Sequence, residues 1–284
     1  MTVTATVMSH RQLEGASDGV HALIYAAREA GATLRFDAGE TSKHGLEAGE
    51  SVVTDAEVAR DVDLAIVLGG DGTILTALRE YAGTGVPVFA VNYGEVGFLA
   101  TLDPDGLGAH FARAFAGEYE TLALPTISVE WEGGESRTAI NDVSVHRKTG
   151  LRVADLAYAL SGEEIGRVRS DGLVVATPAG STGYNLANGG PVLAWGVEGF
   201  VVSFIAPHSL TARALVAAPD DILTVSNRSR AEPVDIHVDG RPGFELPAGE
   251  DITVEFGRNY AQLAQLPGAS FYQRFRERFG RLAK

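Results

Sequence analysis

The 284-residue sequence contains no cysteine, which excludes disulfide bonds and thiolate metal sites. No apolar run approaches the roughly 18 residues that cross a bilayer. The N-terminus has no basic residue ahead of an apolar stretch, so no signal peptide is expected. Positive charge is also scarce: 23 Lys and Arg stand against 37 Asp and Glu, for a net charge of −14. Such a chain is poorly suited to nucleic acid or an anionic membrane as a partner, and we expect a cytoplasmic protein that binds neither.

The order of predicted elements indicates two domains. Residues 1–104 alternate strand and helix, a pattern that predicts an α/β domain with a mostly parallel open sheet. Residues 105–267 contain many short strands separated by turn residues, which predicts an all-β sandwich. Phenylalanines recur every four residues in the segment 268–284, and we expect it to form a helix that packs back on the first domain.

A glycine-rich motif, Gly69-Gly70-Asp71-Gly72-Thr73, follows an apolar run that is typical of a buried strand and precedes a predicted helix at residues 74–81. Glycines in such a turn allow positive φ and the close approach of an anion, and the N-terminus of the following helix favours negative charge. Asp71 is an unusual residue for a phosphate loop unless it binds a cation or takes a proton. A tight turn with an aspartate capping the helix is the alternative.

Two further segments carry polar residues in unusual places. Residues 171–191 predict a strand, a loop of small hydroxylated residues and a short helix ended by Gly-Gly-Pro. The small residues leave room for a flat ligand, and Tyr184 offers a stacking surface, although an ordinary strand–turn–helix connection has the same pattern. Asn141 and Asp142 interrupt a predicted strand at residues 139–145, either as a bulge or as a pair that faces the hydroxyl groups of a ligand.

Together these three motifs resemble the NAD kinase family, as do Asp239-Gly240 and the Pro-His-Ser-Leu segment within residues 207–213. The resemblance extends from about residue 63 to residue 256. It implies an N-terminal α/β domain, a C-terminal β-sandwich and a terminal helix that returns to the first domain. It also implies phosphorylation of NAD by ATP, possible use of polyphosphate, a divalent cation such as Mg²⁺ that arrives with the substrate, and a homodimer or homotetramer.

The resemblance assigns roles to the motif residues. Asp71 is expected to be the catalytic general base, and Gly69, Gly70, Gly72 and Thr73 to hold phosphate. The other residues expected to bind nucleotide are Asn141, Asp142, Arg152, Arg169, Asp171, Ala179, Thr182, Gly183, Tyr184, Asn185, Leu186, Ala187, Ala206 and Arg241. For Arg152 and Arg169, a solvated position on the surface is an equal alternative. No set of residues has the spacing of a dedicated metal site. The chain departs from the common family pattern at Thr76, Gly183, Ala187 and Arg241.

Two other functions remain open from the sequence. Lipid kinases of the diacylglycerol type share the glycine-rich motif, but there an Asn-Glu pair typically follows at once, where this chain has Ile74-Leu75. The strong negative charge also disfavours work at an anionic membrane. A non-catalytic nucleotide sensor is the second alternative, and the presence of Asp71 argues against it.

Overall fold

The computed structural model describes residues 2–10, 16–93, 97–99, 102, 105–268 and 270–280. The chain divides into two compact units, the first formed by residues 1–123 and 261–284 and the second by residues 124–260. No helix in the described part of the chain is long and apolar enough to span a membrane.

The bounds of the elements are as follows. The strands are β1 (Thr4–Ser9), β2 (Thr33–Arg35), β3 (Val52–Val53), β4 (Leu64–Leu68), β5 (Pro87–Val91), β6 (Glu120–Trp131), β7 (Glu135–Ala139), β8 (Asp142–Arg147), β9 (Ala154–Leu160), β10 (Glu163–Ser170), β11 (Gly172–Ala176), β12 (Phe200–Ile205), β13 (Leu215–Ala217), β14 (Ile222–Asn227), β15 (Val234–Val238), β16 (Arg241–Leu246) and β17 (Asp251–Gln265). The helices are α1 (Ala16–Ala30), α2 (Ala38–His44), α3 (Asp71–Glu80), α4 (Leu107–Phe115), α5 (Tyr184–Ala187) and α6 (Phe271–Phe279), with a 3-10 turn at Gly180–Thr182.

A parallel sheet forms the centre of the first unit, in the order β3-β2-β1-β4-β5, and the end of β17 pairs with β5. Every residue of β4 is buried and apolar, as expected for a central parallel strand that is covered on both faces. In such a sheet, the segments that follow β1, β4 and β5 lie at the same edge, which is where ligands bind in open α/β sheets. The glycine-rich motif and residues 97–99 both follow strands at this edge.

Antiparallel strands build the second unit. Six of them form a sheet in the order β13-β12-β11-β8-β15-β16, and β10-β9-β14-β17 continue in a second layer with β6 and β7. Alternate residues of β8 and β11, among them Val143, Val145, Leu173 and Val175, pack with residues of β9 and β14 in one buried cluster. The predicted fold class, a mostly parallel α/β domain with an all-β sandwich, is confirmed.

Two predicted elements differ from the structure, and strand β10 was not predicted. The predicted strand at 139–145 is broken: β7 ends at Ala139, β8 begins at Asp142, and the intervening residues bend. The helix predicted from residue 74 begins three residues earlier, at Asp71. The sequence analysis also did not anticipate β10, because this strand carries charged residues, is mostly exposed and pairs only with β9, so it lacks apolar alternation.

Helix α6 belongs to the first unit and packs on Phe98. The ring centroids of Phe271 and Phe279 lie 6.2 Å and 5.7 Å from that of Phe98. The Ser270 side chain caps the helix by accepting a hydrogen bond from the Gln273 N–H at 3.1 Å.

Candidate functional site

The glycine-rich motif forms a shorter turn than the sequence predicts. Only Gly69 and Gly70 connect β4 to α3, and residues 71–73 form the first turn of the helix. None of the three glycines has positive φ, contrary to the prediction. Gly69 is constrained by space and not by its φ angle, because a Cβ at this position would lie 2.7 Å from Thr73 Oγ1. No side chain caps α3 at Gly70, and the Thr73 N–H donates to the Gly70 carbonyl at 2.9 Å, so the N–H groups of Asp71 and Gly72 are the ones that can face an anion.

Asp71 is half-buried, and backbone amides hold its carboxylate. The Phe98 N–H donates to Oδ2 at 2.9 Å, and the Leu99 N–H donates to Oδ1 at 3.3 Å. A Cβ at Gly97 would overlap the carboxylate, so only glycine allows this close approach. The sequence analysis missed residues 97–99. Phe98 and Leu99 act through backbone N–H groups, so the residue types in this segment gave no signal.

In the second unit, the carboxylate of Asp239 binds the backbone at the break between β7 and β8. It accepts hydrogen bonds from the N–H groups of Ile140 at 3.1 Å, Asn141 at 2.7 Å and Asp142 at 3.3 Å. The Asp239 N–H donates to the Asp142 carbonyl at 2.8 Å. Asp239 has a left-handed backbone, with φ of 48°, which is uncommon for a residue with a side chain. These bonds explain why the chain bends here instead of continuing as one strand.

Thr177 holds the same segment from the end of β11. Its N–H donates to the Asn141 carbonyl at 2.9 Å, and its hydroxyl donates to the Ile140 carbonyl at 2.6 Å. The side-chain oxygen of Asn141 is buried and has no hydrogen-bond partner among the residues that the structure describes. A buried acceptor of this kind is costly unless a ligand or water satisfies it.

A cavity of about 380 Å³ lies beside this segment. It is lined by Asn141, Asp142, Ser144, His146, Tyr184, His237, Asp239 and Gly240. Within it the rings of His146 and Tyr184 stack with centroids 5.7 Å apart, and His237 lies 4.7 Å from His146.

Sequence reasoning placed three of these lining residues in the site: Asn141, Asp142 and Tyr184. It missed Ser144 and His146, although a signal was present. Polar residues at every second position of a strand point to one face of its sheet, and Asp142, Ser144 and His146 follow that spacing along β8.

Burial shapes the charges in this cavity. It raises the pKa of Asp142 to about 7, and the neighbouring carboxylate of Asp239 adds to the effect. Burial also lowers the pKa of His146, and the nearby His237 lowers it further. At neutral pH, the cavity therefore offers an uncharged imidazole and a carboxyl group that is partly protonated. Such groups both donate hydrogen bonds to hydroxyl groups and accept them.

Asp171 and Ala206 lie together at the end of the β11–β12 pair. The Asp171 N–H donates to the Ile205 carbonyl at 2.9 Å, and the Arg147 side chain donates to the Asp171 carboxylate at 2.5 Å. Ala206 has φ of 43°, a strained conformation of the kind that clusters at functional sites. The sequence analysis did not single out Arg147.

The remaining predicted residues fall into two groups. Ala179, Thr182, Gly183, Asn185, Leu186 and Ala187 belong to the 3-10 turn and α5 or lie next to them. Asn185 is fully buried, and its side-chain N–H groups donate to the carbonyls of Ser181 at 2.9 Å and Pro191 at 3.0 Å, so it ties this segment together. Arg152, Arg169 and Arg241 are exposed. In the described part of the chain, no group of three or more His, Asp or Glu side chains could hold a metal ion.

Comparisons with known proteins agree with the motifs. The family model of the ATP-NAD kinase N-terminal domain matches residues 11–119, and that of the ATP-NAD kinase C-terminal domain matches residues 140–266. NAD kinase from Gemmatimonas aurantiaca is 32% identical over 279 residues, which cover 96% of this chain and 94% of the relative. NAD kinase from Lachnoclostridium phytofermentans is 34% identical over 242 residues, which cover 81% and 85%.

Two solved structures share the fold. Yeast NADH kinase complexed with NADH has a TM-score of 0.88 at 21% identity, with 98% of this chain and 88% of that chain covered. An NAD kinase from Archaeoglobus fulgidus in complex with ATP has a TM-score of 0.75 at 23% identity, with 99% of each chain covered. Because the two family models match more than half of its length and relatives above 30% identity match most of it, this chain belongs to the NAD kinase family.

Proposed function

We propose how the residues of this chain divide the work of the NAD kinase reaction, in which the γ-phosphoryl group of ATP is transferred to the adenosine 2′-hydroxyl of NAD. Phosphoryl transfer requires mainly that a protein position its substrates and neutralise their charge. The observation that carries the assignment is the carboxylate of Asp71, which is held by two amides at the uncapped N-terminus of α3. The relatives reported above are NAD kinases, and the lipid-kinase and sensor alternatives have no support from them.

Asp71 acts as the general base. It orients the 2′-hydroxyl of NAD and accepts its proton as the oxygen attacks phosphorus. The bonds from Phe98 and Leu99 support this role, because they fix the direction of the carboxylate before substrate arrives.

The start of α3 holds phosphate. Its N–H groups and the positive end of its dipole attract an anion, and Gly69, Gly70, Gly72 and Thr73 leave the backbone accessible. Mg²⁺ enters as part of the MgATP substrate, since it keeps several waters and usually binds through substrate phosphates. A single carboxylate at this position fits a substrate-bound cation better than a resident one.

The cavity of the second unit binds the ribose hydroxyls of NAD through Asn141 and Asp142. The unpartnered side-chain oxygen of Asn141 supports this assignment, as does the pKa of about 7 for Asp142. Tyr184 stacks on a nucleotide ring. Asp171, Ala206 and the segment around α5 complete the nucleotide pocket.

The finer properties follow the family resemblance. We propose that the protein works in the cytoplasm as a homodimer or homotetramer, without nucleic acid or membrane as a partner. Light scattering coupled to size-exclusion chromatography measures its assembly, and a monomeric mass would contradict this part of the proposal.

The activity is tested with purified protein, NAD or NADH, and ATP or polyphosphate in the presence of Mg²⁺, with NADP(H) measured by a coupled dehydrogenase. We expect 2′-phosphorylated product that depends on both substrates. The four substrate combinations identify the preferred acceptor and donor. Absence of product with every combination would contradict the proposed function.

A further inference from the structure

An arginine of the terminal helix binds the segment that holds Asp71. The Arg274 guanidinium donates through Nη1 to the Phe98 carbonyl at 2.6 Å and lies 3.4 Å from the Leu99 carbonyl. The side chain is largely buried, and burial lowers its pKa to about 10, so it remains charged at neutral pH. All of these residues belong to the first unit.

The peptide group between Phe98 and Leu99 connects Arg274 to Asp71. In a trans peptide, the C=O and N–H bonds point in opposite directions. Here the C=O accepts from the guanidinium, and the N–H of the same peptide donates to Asp71 Oδ1 at 3.3 Å. The preceding peptide adds the Phe98 N–H bond to Oδ2 at 2.9 Å. A cation on one side and a carboxylate on the other therefore fix the orientation of this peptide.

Helix α6 also contacts residues 97–99 through the side chain of Phe98. The Phe98 ring packs against Phe271 and Phe279, which lie on either side of Arg274 along the helix. The contact with the glycine-rich motif is equally close, since a side chain at Gly97 would overlap Asp71. A displacement of residues 97–99 therefore changes the surroundings of the Asp71 carboxylate.

We propose that Arg274 is a positioning residue for the reaction: it fixes the 98–99 peptide and, through that peptide, the direction of the Asp71 carboxylate. This inference rests on the proposed role of Asp71 as the general base. A base must lie within hydrogen-bond reach of the proton that it takes, and a misplacement of about 1 Å costs on the order of 10²-fold in rate. Arg274 thus acts on turnover through the orientation of the Asp71 carboxylate.

The first experiment compares Arg274→Gln with Arg278→Gln. Arg278 lies one turn further along the same exposed helix, so this control removes the same charge from α6. We expect Arg274→Gln to lower kcat by roughly 10–100-fold, with KM for NAD and for ATP within about twofold of the original values. Arg278→Gln should leave kcat unchanged. Arg274→Lys keeps the charge and one donor, and it should recover part of the lost kcat.

The second experiment separates positioning from a general effect on folding. Arg274→Gln is introduced into Asp71→Asn, and the four kcat values form a double-mutant cycle. If Arg274 acts through the carboxylate, its loss should change the residual rate of Asp71→Asn by less than about twofold. A further loss as large as that in the original protein would overturn the inference, as would a normal kcat in Arg274→Gln. Should Arg274→Gln not fold, the cycle is run with Arg274→Lys and judged by the same criterion.

These outcomes also separate a failure of the proposed role of Arg274 from a failure of the proposed function on which that role rests. A protein that does not phosphorylate NAD contradicts the proposed function, and an active Asp71→Asn contradicts the role of Asp71. An active protein that needs Asp71 but tolerates the loss of Arg274 contradicts the positioning role alone.

Discussion

Asp71 and Asp142 are two carboxyl groups that this chain places in opposite surroundings. Asp71 is half-buried, accepts hydrogen bonds from two backbone amides, and is near enough to Arg274 for the two charges to attract each other. Asp142 is only 6% exposed, and the carboxylate of Asp239 lies close enough to add to the rise in its pKa.

The difference lies in what each unit supplies around the carboxyl group. At the edge of the parallel sheet, the first unit offers N–H groups of the backbone and a guanidinium, which orient an acceptor. The antiparallel sheet of the second unit offers a cavity with a second carboxylate and two imidazoles, where one carboxyl retains a proton near neutral pH. The first setting suits a group that must take a proton from a fixed direction, and the second suits a group that binds hydroxyls.

Of the changes considered, removal of the divalent cation should lower turnover the most. We expect EDTA to abolish turnover and excess Mg²⁺ to restore it, because the cation arrives with the substrate phosphates. Calorimetry without nucleotide should show only weak binding of Mg²⁺, and the melting temperature should change little. Tight binding of one metal ion per apo chain would contradict this expectation, because the cation would then be resident in the protein and would not arrive with the substrate.

Loss of the Asp71 carboxylate should cause the second largest loss of activity. Asp71→Asn keeps the shape of the side chain but cannot take a proton, so kcat should fall by about 10²–10⁴-fold. Asp105→Asn is the matched control, because it removes an exposed carboxylate near the start of α4. Both variants should melt within a few degrees of the original protein. A near-normal kcat in Asp71→Asn would show that the amide-bound carboxylate is structural.

Sequence reasoning identified the two motifs around these carboxyl groups but not their surroundings. The glycine-rich motif and Asn141-Asp142 are contiguous, and their unusual composition is visible in the chain. The partners of these motifs are distant in sequence: Phe98 lies 27 residues from Asp71, and the Asp239 carboxylate lies 98 residues from the Asn141 amide that it binds.

The missed features share one physical cause. Phe98 and Leu99 act through backbone N–H groups, which every residue except proline carries, so no side-chain pattern marks them. The break between β7 and β8 arises from the carboxylate of Asp239 and could not be inferred from local propensity. The proposed domain boundaries after residues 104 and 267 stay predictions. Only Ser144 and His146 had a usable signal, in the alternation along β8.

The pH dependence of stability sharpens the comparison further. Burial raises the pKa of Asp142 from 3.8 to about 7, so the native state keeps a proton that the unfolded state loses. Stability therefore falls as pH rises from about 4 to above 7. Asp142→Asn removes this titration. Its free energy of unfolding should therefore exceed that of the original protein by nothing near pH 4 and by at most about 4 kcal/mol at pH 8.

Thermal melting of both proteins from pH 4 to pH 8 checks this expectation. Asp239, His146 and His237 line the same cavity and are present in both proteins, so the difference between the two curves reports the ionisation of Asp142 together with its interaction with these neighbours. Asp251→Asn, an exposed site on β17, should show no such growth with pH. A constant difference between Asp142→Asn and the original protein would mean that folding does not raise the pKa of Asp142, and the contrast with Asp71 would disappear.

The smallest effect should come from Asn141, because its amide contributes a neutral hydrogen bond. Asn141→Ala should raise KM for NAD by about 2–13-fold, which corresponds to roughly 0.5–1.5 kcal/mol, and leave KM for ATP unchanged. Asn259→Ala removes the same side chain at an exposed position of β17 and should change neither constant. The Asn141 oxygen is buried and unpartnered among the described residues, so its removal relieves an unsatisfied acceptor, and the melting temperature should hold or rise while NAD binding weakens. Equal increases in KM for both nucleotides would instead indicate that Asn141 supports the fold, and the second unit would lose its assignment as the site for the ribose hydroxyls.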